Sequence, residues 1–291
     1  MESFANALVS GLISGSLYAA MALGLTIIYG ISRVFNFGHG VIALMGAYIA
    51  WLVNQNAVSA GLPLLLGMLV TVVVMFCFGI FIYRFAIGPL MKKPNWDIST
   101  VLFMLGLGIM LENIVLQLFG PRIKSIPVFL SGNLRLWVIQ INWHEIVVIV
   151  IVILAILLLN LFFKKTRTGQ AMQAVAQSVP GAKVVGIDIE KIFGLTFGLA
   201  FAVTGFSGIL LSTKFFMNPH IGWSWMVTGF VIVCFGGLGS TSGTIYAALI
   251  LGVVEALTTL YLGASWVWPI WFIIFLIILL VRPQGLLGGR N

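Results

Sequence analysis

The chain is a series of long apolar runs, and their length limits the folds open to it. Runs occupy 8–29, 38–53, 62–83, 98–119, 146–163, 192–212, 223–238, 243–262 and 266–281. Most approach the roughly 20 residues an α-helix needs to cross a hydrocarbon core about 30 Å thick. Backbone groups find no water at that depth, so helices are the default. The period-two alternation of a membrane β-barrel is absent. The fold expected is all-α: a polytopic α-helical membrane protein with about nine transmembrane helices, eight and ten being the neighbouring counts. The seventh and ninth runs are short. The seventh ends in Gly236-Gly237-Leu238-Gly239-Ser240, which suits a broken helix as well as the end of a span.

Composition agrees about the solvent. Of the 291 residues, 61% are apolar and 8% are charged, against about a quarter charged in ordinary soluble domains. So few polar side chains could not cover a soluble globule of this size. A cytosolic enzyme, a nucleic-acid binder and a disordered chain are excluded together, and the first partner is a lipid bilayer. The net charge of +8 needs no nucleic acid, because cytoplasmic loops of membrane proteins are rich in Lys and Arg. Cys77 and Cys234 lie inside apolar runs. They read as small buried residues, not as a disulfide or metal pair. The start, Met1-Glu2-Ser3-Phe4, has no basic n-region, so the first run is expected to stay as a span.

Basic residues set the orientation. With the stretch after the fifth run inside, the inside holds Arg33, Arg84, Lys92, Lys93, Lys164, Lys165, Arg167, Lys183, Lys191, Arg282 and Arg290. The outside holds Arg122, Lys124, Arg135 and Lys214. That asymmetry predicts an external N-terminus and a cytoplasmic C-terminus. The external stretch from Gly120 to Glu145 carries Pro121, Pro127, Gly132 and Trp137, and reads as a structured loop or short cap. The cytoplasmic stretch, 164–191, holds a helix-forming string from Arg167 to Gln177, with Pro180-Gly181 expected to stop it. A second short amphipathic piece follows at Ala182–Ile187. Two short helices are more than a simple connection needs.

One echo hints at duplication. Gly11-Leu12-Ile13-Ser14-Gly15 resembles Gly194-Leu195-Thr196-Phe197-Gly198, each opening a span. Asn36-Phe37-Gly38-His39-Gly40 and Asn218-Pro219-His220-Ile221-Gly222 follow 25 and 24 residues on. Two readings stand: an inverted repeat, a common transporter plan, or chance, since GxxxG is frequent wherever helices pack closely.

Chemistry-bearing motifs are few. The chain has no GxxxxGK[ST] and no HExxH, so it neither binds ATP through a P-loop nor builds that zinc site. His39, His144 and His220 lack metal-ligand spacing. Polar groups inside the runs are the better guide, because they are costly in lipid and face a cavity or a partner helix. Glu112-Asn113 falls in the fourth run and Glu255 in the eighth; each reads as a pathway residue or as a structural hydrogen-bonding group. Asn36-Phe37-Gly38-His39-Gly40 reads as an unwound element, tolerated at depth when buried in protein or lining water. It suits either a gate in a conduit or an interfacial loop packed on a neighbour.

A family resemblance rests on these same strings. Gly15-Ser16-Leu17-Tyr18-Ala19-Ala20-Met21-Ala22-Leu23-Gly24-Leu25-Thr26-Ile27-Ile28-Tyr29-Gly30, then Asn36-Phe37-Gly38-His39-Gly40 and Met45-Gly46-Ala47-Tyr48, resemble the N-terminal region of the permease subunits of branched-chain amino acid ABC importers. Arg167-Thr168-Gly169-Gln170-Ala171 with Gly186-Ile187 resembles that family's cytoplasmic loop. Asn218-Pro219-His220-Ile221-Gly222, Gly236-Gly237-Leu238-Gly239-Ser240 and Pro283-Gln284-Gly285-Leu286-Leu287-Gly288 resemble its C-terminal half. The likeness spans nearly the whole chain. It departs in the loop, where Gln173-Ala174-Val175-Ala176-Gln177-Ser178 replaces the family's basic and acidic pattern, and at Trp225-Met226-Val227.

The resemblance implies one permease domain over 1–291: a first helical unit at 8–119, a linking helix at 146–163, a coupling loop at 164–191 and a second unit at 192–281. It implies a multi-pass subunit of the bacterial inner (cytoplasmic) membrane that is not itself an enzyme and holds no cofactor. ATP and Mg would be bound by two partner ABC ATPase subunits. A second homologous permease, in a heterodimer rather than a homodimer, and an external solute-binding protein complete the importer. Arg167, Gly169, Gln170, Ala171, Ala174, Gln177 and Gly186 would form the ATPase coupling loop, with its helix near 169–179. Tyr18, Asn36, His39, Glu112, Asn113, Gly237, Gly239 and Glu255 would belong to the translocation pathway or gate. The cargo implied is a branched-chain or other amino acid. Urea or short amides are the alternative within the class, and an ion-coupled secondary transporter or channel is the alternative outside it.

Overall fold

A computed structural model describes residues 2–57, 63–127, 130, 132–136 and 139–288. Leu62, Trp137 and Arg290, each part of an expectation above, lie outside the described residues. The helices are α1 (Glu2–Ser32), α2 (His39–Ala57), α3 (Pro63–Ile82, continued by a π-helical turn Tyr83–Ile87), α4 (Gly88–Leu90), α5 (Trp96–Phe119), α6 (Trp143–Lys165), α7 (Arg167–Gln177), α8 (Val179–Val184), α9 (Ile189–Lys214), α10 (Ile221–Gly236), α11 (Thr241–Tyr261) and α12 (Val267–Val281). The only sheet among the described residues is a hairpin of β1 (Asn133–Leu136) and β2 (Ile139–Asn142), in antiparallel register from Asn133 opposite Asn142 to Leu136 opposite Ile139. The protein is thus a polytopic all-α membrane protein with one small extramembrane hairpin.

Each of the nine apolar runs, over its described residues, lies in one helix to within two residues at its ends, Gly38, Gly237, Leu238 and Leu262 falling in the flanking turns. Among the described residues, seven helices are long and apolar enough to cross a bilayer; α10 is apolar but spans only 16 residues. α6 begins at Trp143, ahead of the expected 146, because Asn142 N–H donates to Glu145 Oε2 at 3.3 Å and closes its first turn. Pro180 does not stop the loop helix. α7 ends at Gln177 because Ser178 is extended, with φ −156°, and its hydroxyl accepts from Gly181 N–H at 3.1 Å to start α8. Pro180 then sits in the first turn of α8, where a missing N–H costs nothing. Cys234 is half-buried and Cys77 stands exposed on α3. Burial expected for Cys77 from its apolar neighbours fails because the lipid-facing side of a membrane helix is apolar too.

The core forms around α1 and α9, which run antiparallel: Lys214 Nζ, at the end of α9, donates to Ser10 O near the start of α1 at 3.4 Å. Small residues let backbones meet. On α1, a Cβ at Gly15 would lie 2.8 Å from Leu249 Cα of α11. On α9, a Cβ at Gly198 would lie 2.9 Å from Ile80 Cγ1 of α3. The echoed GxxxG strings therefore do the same work: each opening helix of one half seats the third helix of the other half.

The likeness extends to the links. After α1, the chain turns back so that α2 begins beside Met21, with His39 Nε2 2.9 Å from Met21 O. That level is 11 residues above Ser32, about 16 Å at 1.5 Å per residue. After α9 the chain turns back likewise, and α10 begins with Gly222 against Gly40 and Val41 of α2. One device makes both turns. Asn36 Oδ1 accepts from Gly38 N–H at 3.1 Å, and Asn218 Oδ1 accepts from His220 N–H at 3.0 Å. This is why α10 is short: it starts inside the bundle.

Two ends of the bundle follow. The hairpin end holds the start of α1, where Gln140 N–H donates to Asn6 Oδ1 at 2.9 Å, and the end of α9, where Lys214 stands 3.7 Å from Glu145. The α7 end holds α7, α8, the turn from α10 to α11, and the residues after α12.

Candidate functional site

At the α7 end, Thr166 Oγ1 accepts from Gly169 N–H at 3.0 Å and starts α7. A Cβ at Gly169 would lie 2.6 Å from Phe163 Cα of α6, so only glycine allows this seat. Met172 and Val175 bury the same face, while Ala171 and Ala174 are half-buried beside it. Arg167, Gln170 and Gln177 face outward. Gly186, with φ +83°, ends the pair of short helices. Beside it Val184 and Val185 are 86% and 73% exposed, an apolar tip on a polar end.

The glycine cluster forms the turn between α10 and α11 and not a break within a helix. Gly237 has φ +105° and Gly239 φ +84°. The segment after α12 closes over it: Leu286 N–H donates to Phe235 O at 2.9 Å, and Leu287 N–H to Gly236 O at 3.0 Å. Those two carbonyls end α10 and have no partner within it. Gly239 rests on Gly30 of α1. A cavity of ≈ 470 Å³ runs between Gln173 and Ala176 of α7 and Gly30, Gly239 and Thr241. A second, of ≈ 510 Å³, lies between Gln177, Arg33, Gly239 and Gln284. The expected coupling residues and the expected glycine gate thus share walls.

Asn36 and His39 sit deeper. His39 is wholly buried between α1 and α9, with Nδ1 3.5 Å from Thr204 Oγ1. Its Nε2 faces a carbonyl that can only accept, so Nε2 carries the proton. Asn36 is buried against α5, where Gly38 meets Met104 and Gly108.

Tyr18 and Glu255, 237 residues apart, are brought together. The Tyr18 hydroxyl donates to Glu255 Oε1 at 3.1 Å. The Tyr18 ring stacks on Phe215 at 6.1 Å and meets Trp271 edge-on at 5.9 Å.

Glu112 has partners the spacing gave no sign of. Its Oε1 accepts from His220 Nδ1–H and its Oε2 from Trp223 Nε1–H. The carboxylate of α5 thereby ties down the head of α10. Asn113 is not part of that cluster: it points outward, exposed, and its Nδ2 donates only to Ile109 O of its own helix, at 2.8 Å. Sequence reasoning noticed the string around His220 but gave it no role, and it missed Trp223. A histidine at the start of a short apolar run, with a tryptophan three residues on, is the signal that was available.

Comparison with known proteins gives this arrangement its family. Residues 7–281 match the family described as branched-chain amino acid transport system / permease component. The permease protein BraD of the high-affinity branched-chain amino acid transport system of Pseudomonas aeruginosa is 31% identical, over 97% of this chain and 94% of that protein. LivH of Escherichia coli K12, named for the same kind of system, is 29% identical over 98% and 96%. A probable branched-chain amino acid transport permease protein LivM of Methanocaldococcus jannaschii is 26% identical over 61% and 54%. No solved structure matches the chain. The chain belongs to the branched-chain amino acid transport system permease family.

Proposed function

We propose that this chain is the membrane permease of a binding-protein-dependent ABC importer in the cytoplasmic membrane. It passes amino acids inward by alternating access, driven by two partner ATPases that bind the ATP and Mg. The α7 end lies in the cytoplasm, in keeping with its excess of Lys and Arg. A second permease of the same family stands beside it, as the matches to both LivH and LivM proteins suggest, and an external protein delivers the solute.

The observation that carries this reading is the α7–α8 pair. It is anchored on α6 through Gly169, presents Val184 and Val185 with nothing covering them, and touches the cavities that reach Gly239. A motor docking there pushes α7, and α7 moves the glycine turn and the clasp of residues 283–288. Opening then shifts helices that meet through glycine, where sliding meets no side chain. Gly237 and Gly239 serve the inner gate, with Asn36 and His39 holding the turned-back link. Tyr18 and Glu255 line the approach from the hairpin end.

The test is capture and energetics. A tagged chain purified in mild detergent is expected to bring down a P-loop ATPase, and uptake in liposomes is expected to stop when ATP is withdrawn. Uphill uptake by the chain alone, driven by an ion gradient, would replace this reading with a secondary transporter.

A further inference from the structure

Exposed polar side chains at membrane depth cluster where α5 meets α10. From Ile146 to Leu159 α6 carries apolar side chains alone, and so does α12. At the meeting of α5 and α10 the surface changes. The Glu112 side chain is 13% exposed and that of His220 is 67% exposed; Asn113 and Ser224 are exposed beside them. Glu112 lies seven residues inside the end of α5 at Phe119, about 10 Å along the helix. A titratable side chain open by two thirds at that depth needs water or a polar partner, because hydrocarbon does not solvate it.

We propose that Glu112 and His220 form the station within the membrane where the passing amino acid is held by its two charged ends. This rests on the permease reading above. The pair is built to present, not only to tie. Each oxygen of Glu112 accepts one hydrogen bond, from His220 and from Trp223, and keeps lone pairs for an ammonium group. His220 spends Nδ1–H on Glu112, and with its side chain 67% exposed Nε2 is left for another partner. As an imidazolium it offers Nε2–H to a solute carboxylate. Asn218 holds the backbone of His220 through its side-chain oxygen, fixing the ring at the head of α10. A tie between two helices alone would not need an exposed acid–base pair, whose cost in a membrane is high. Urea and short amides, with no charged ends, use neither half.

The test is solute protection in the assembled transporter, reconstituted in liposomes on a Cys77→Ala, Cys234→Ala background. Asn113→Cys, which leaves Glu112 and His220 in place, is expected to react with a charged, water-soluble methanethiosulfonate, since Asn113 is exposed and bonds only its own helix. A millimolar mixture of neutral L-α-amino acids is expected to slow that reaction severalfold, whereas the matching amides and the matching amines without carboxylate are not. Adding Glu112→Gln is expected to raise the half-protecting concentration about tenfold, the scale of one lost charge-assisted hydrogen bond. Ser224→Cys, exposed beside the pair on α10, carries the same readout should Asn113→Cys fail to insert. Absence of reaction at both positions would mean that lipid or protein covers the pair and would overturn the proposal. Equal protection by amino acids and amides, or none by either, would also overturn it and leave a tie in a wet crevice. Loss of ATP dependence with protection intact would remove the importer reading and leave the station standing.

Discussion

Two helices of similar length, α5 and α6, are both largely uncovered, yet they expose opposite chemistry. α5 has a mean hydropathy of 2.0 and α6 of 3.5 over their best windows. From Ile146 to Leu159, α6 carries only Ile, Val, Leu and Ala, the surface that lipid tails accept without cost. α5 carries Gly106, Glu112 and Asn113 among its apolar residues, with Gly106 and Asn113 exposed. Apolar length alone makes both of them spans. The exposed polar positions separate a helix that faces lipid from one that faces water or protein, and that distinction survives when total burial is low in both.

The sharpest way to break the comparison is an arginine at matched depth. Val150 on α6 lies seven residues from Trp143 at the hairpin end, and Asn113 on α5 lies six from Phe119. Val150→Arg is expected to cost about 3 kcal/mol of insertion free energy, the scale for a basic residue meeting hydrocarbon. Asn113→Arg should cost far less, because its surroundings already accept a polar side chain. The yield of protease-protected, membrane-integrated protein measures both. Equal losses would show that the two faces meet the same solvent.

A medium effect is expected where α6 is specialised, at its end. Gly169 of α7 lies against Phe163, and a longer side chain there must move backbone, not a flexible tip. Gly169→Leu is expected to cost about 1–2 kcal/mol by overpacking and to lift α7 away from α6. ATP hydrolysis by the assembled importer should continue while uptake falls several-fold. Uptake at the wild-type level would mean that α7 carries no coupling and that α6 is a lipid-facing rod throughout.

What could be read in the chain beforehand follows the range of the forces. The nine runs were legible because the bilayer imposes its length requirement locally. The loop helices were legible too, through the helix formers from Arg167 to Gln177. Their boundary was misjudged because Pro180 starts a helix as readily as it ends one, and Ser178 decides which. The GxxxG echo left repeat and chance open; what the structure adds is matched packing, Gly15 against Leu249 and Gly198 against Ile80. Glu112 and Glu255 stood out as costly residues, but their partners His220 and Tyr18 lie 108 and 237 residues away, and no periodicity reaches that far. The clasp of Leu286 on Phe235 is made by backbone groups, which residue types do not reveal.

The smallest expected change is the most discriminating. Asn113 spends its amide on Ile109 O, a bond that adds nothing to tertiary structure. Asn113→Leu should therefore alter the stability of the chain by no more than about 0.5 kcal/mol, as for a surface position without special contacts. If α5 faced lipid as α6 does, leucine would be the better residue and uptake would be unchanged or improved. If α5 faces the conduit or the partner permease, the same substitution takes a hydrogen-bonding group from that surface, and uptake or capture of the partner should fall while yield does not. Insertion yield and uptake thus move together for a lipid-facing helix and apart for this one, so measuring both on one variant decides which kind of helix α5 is.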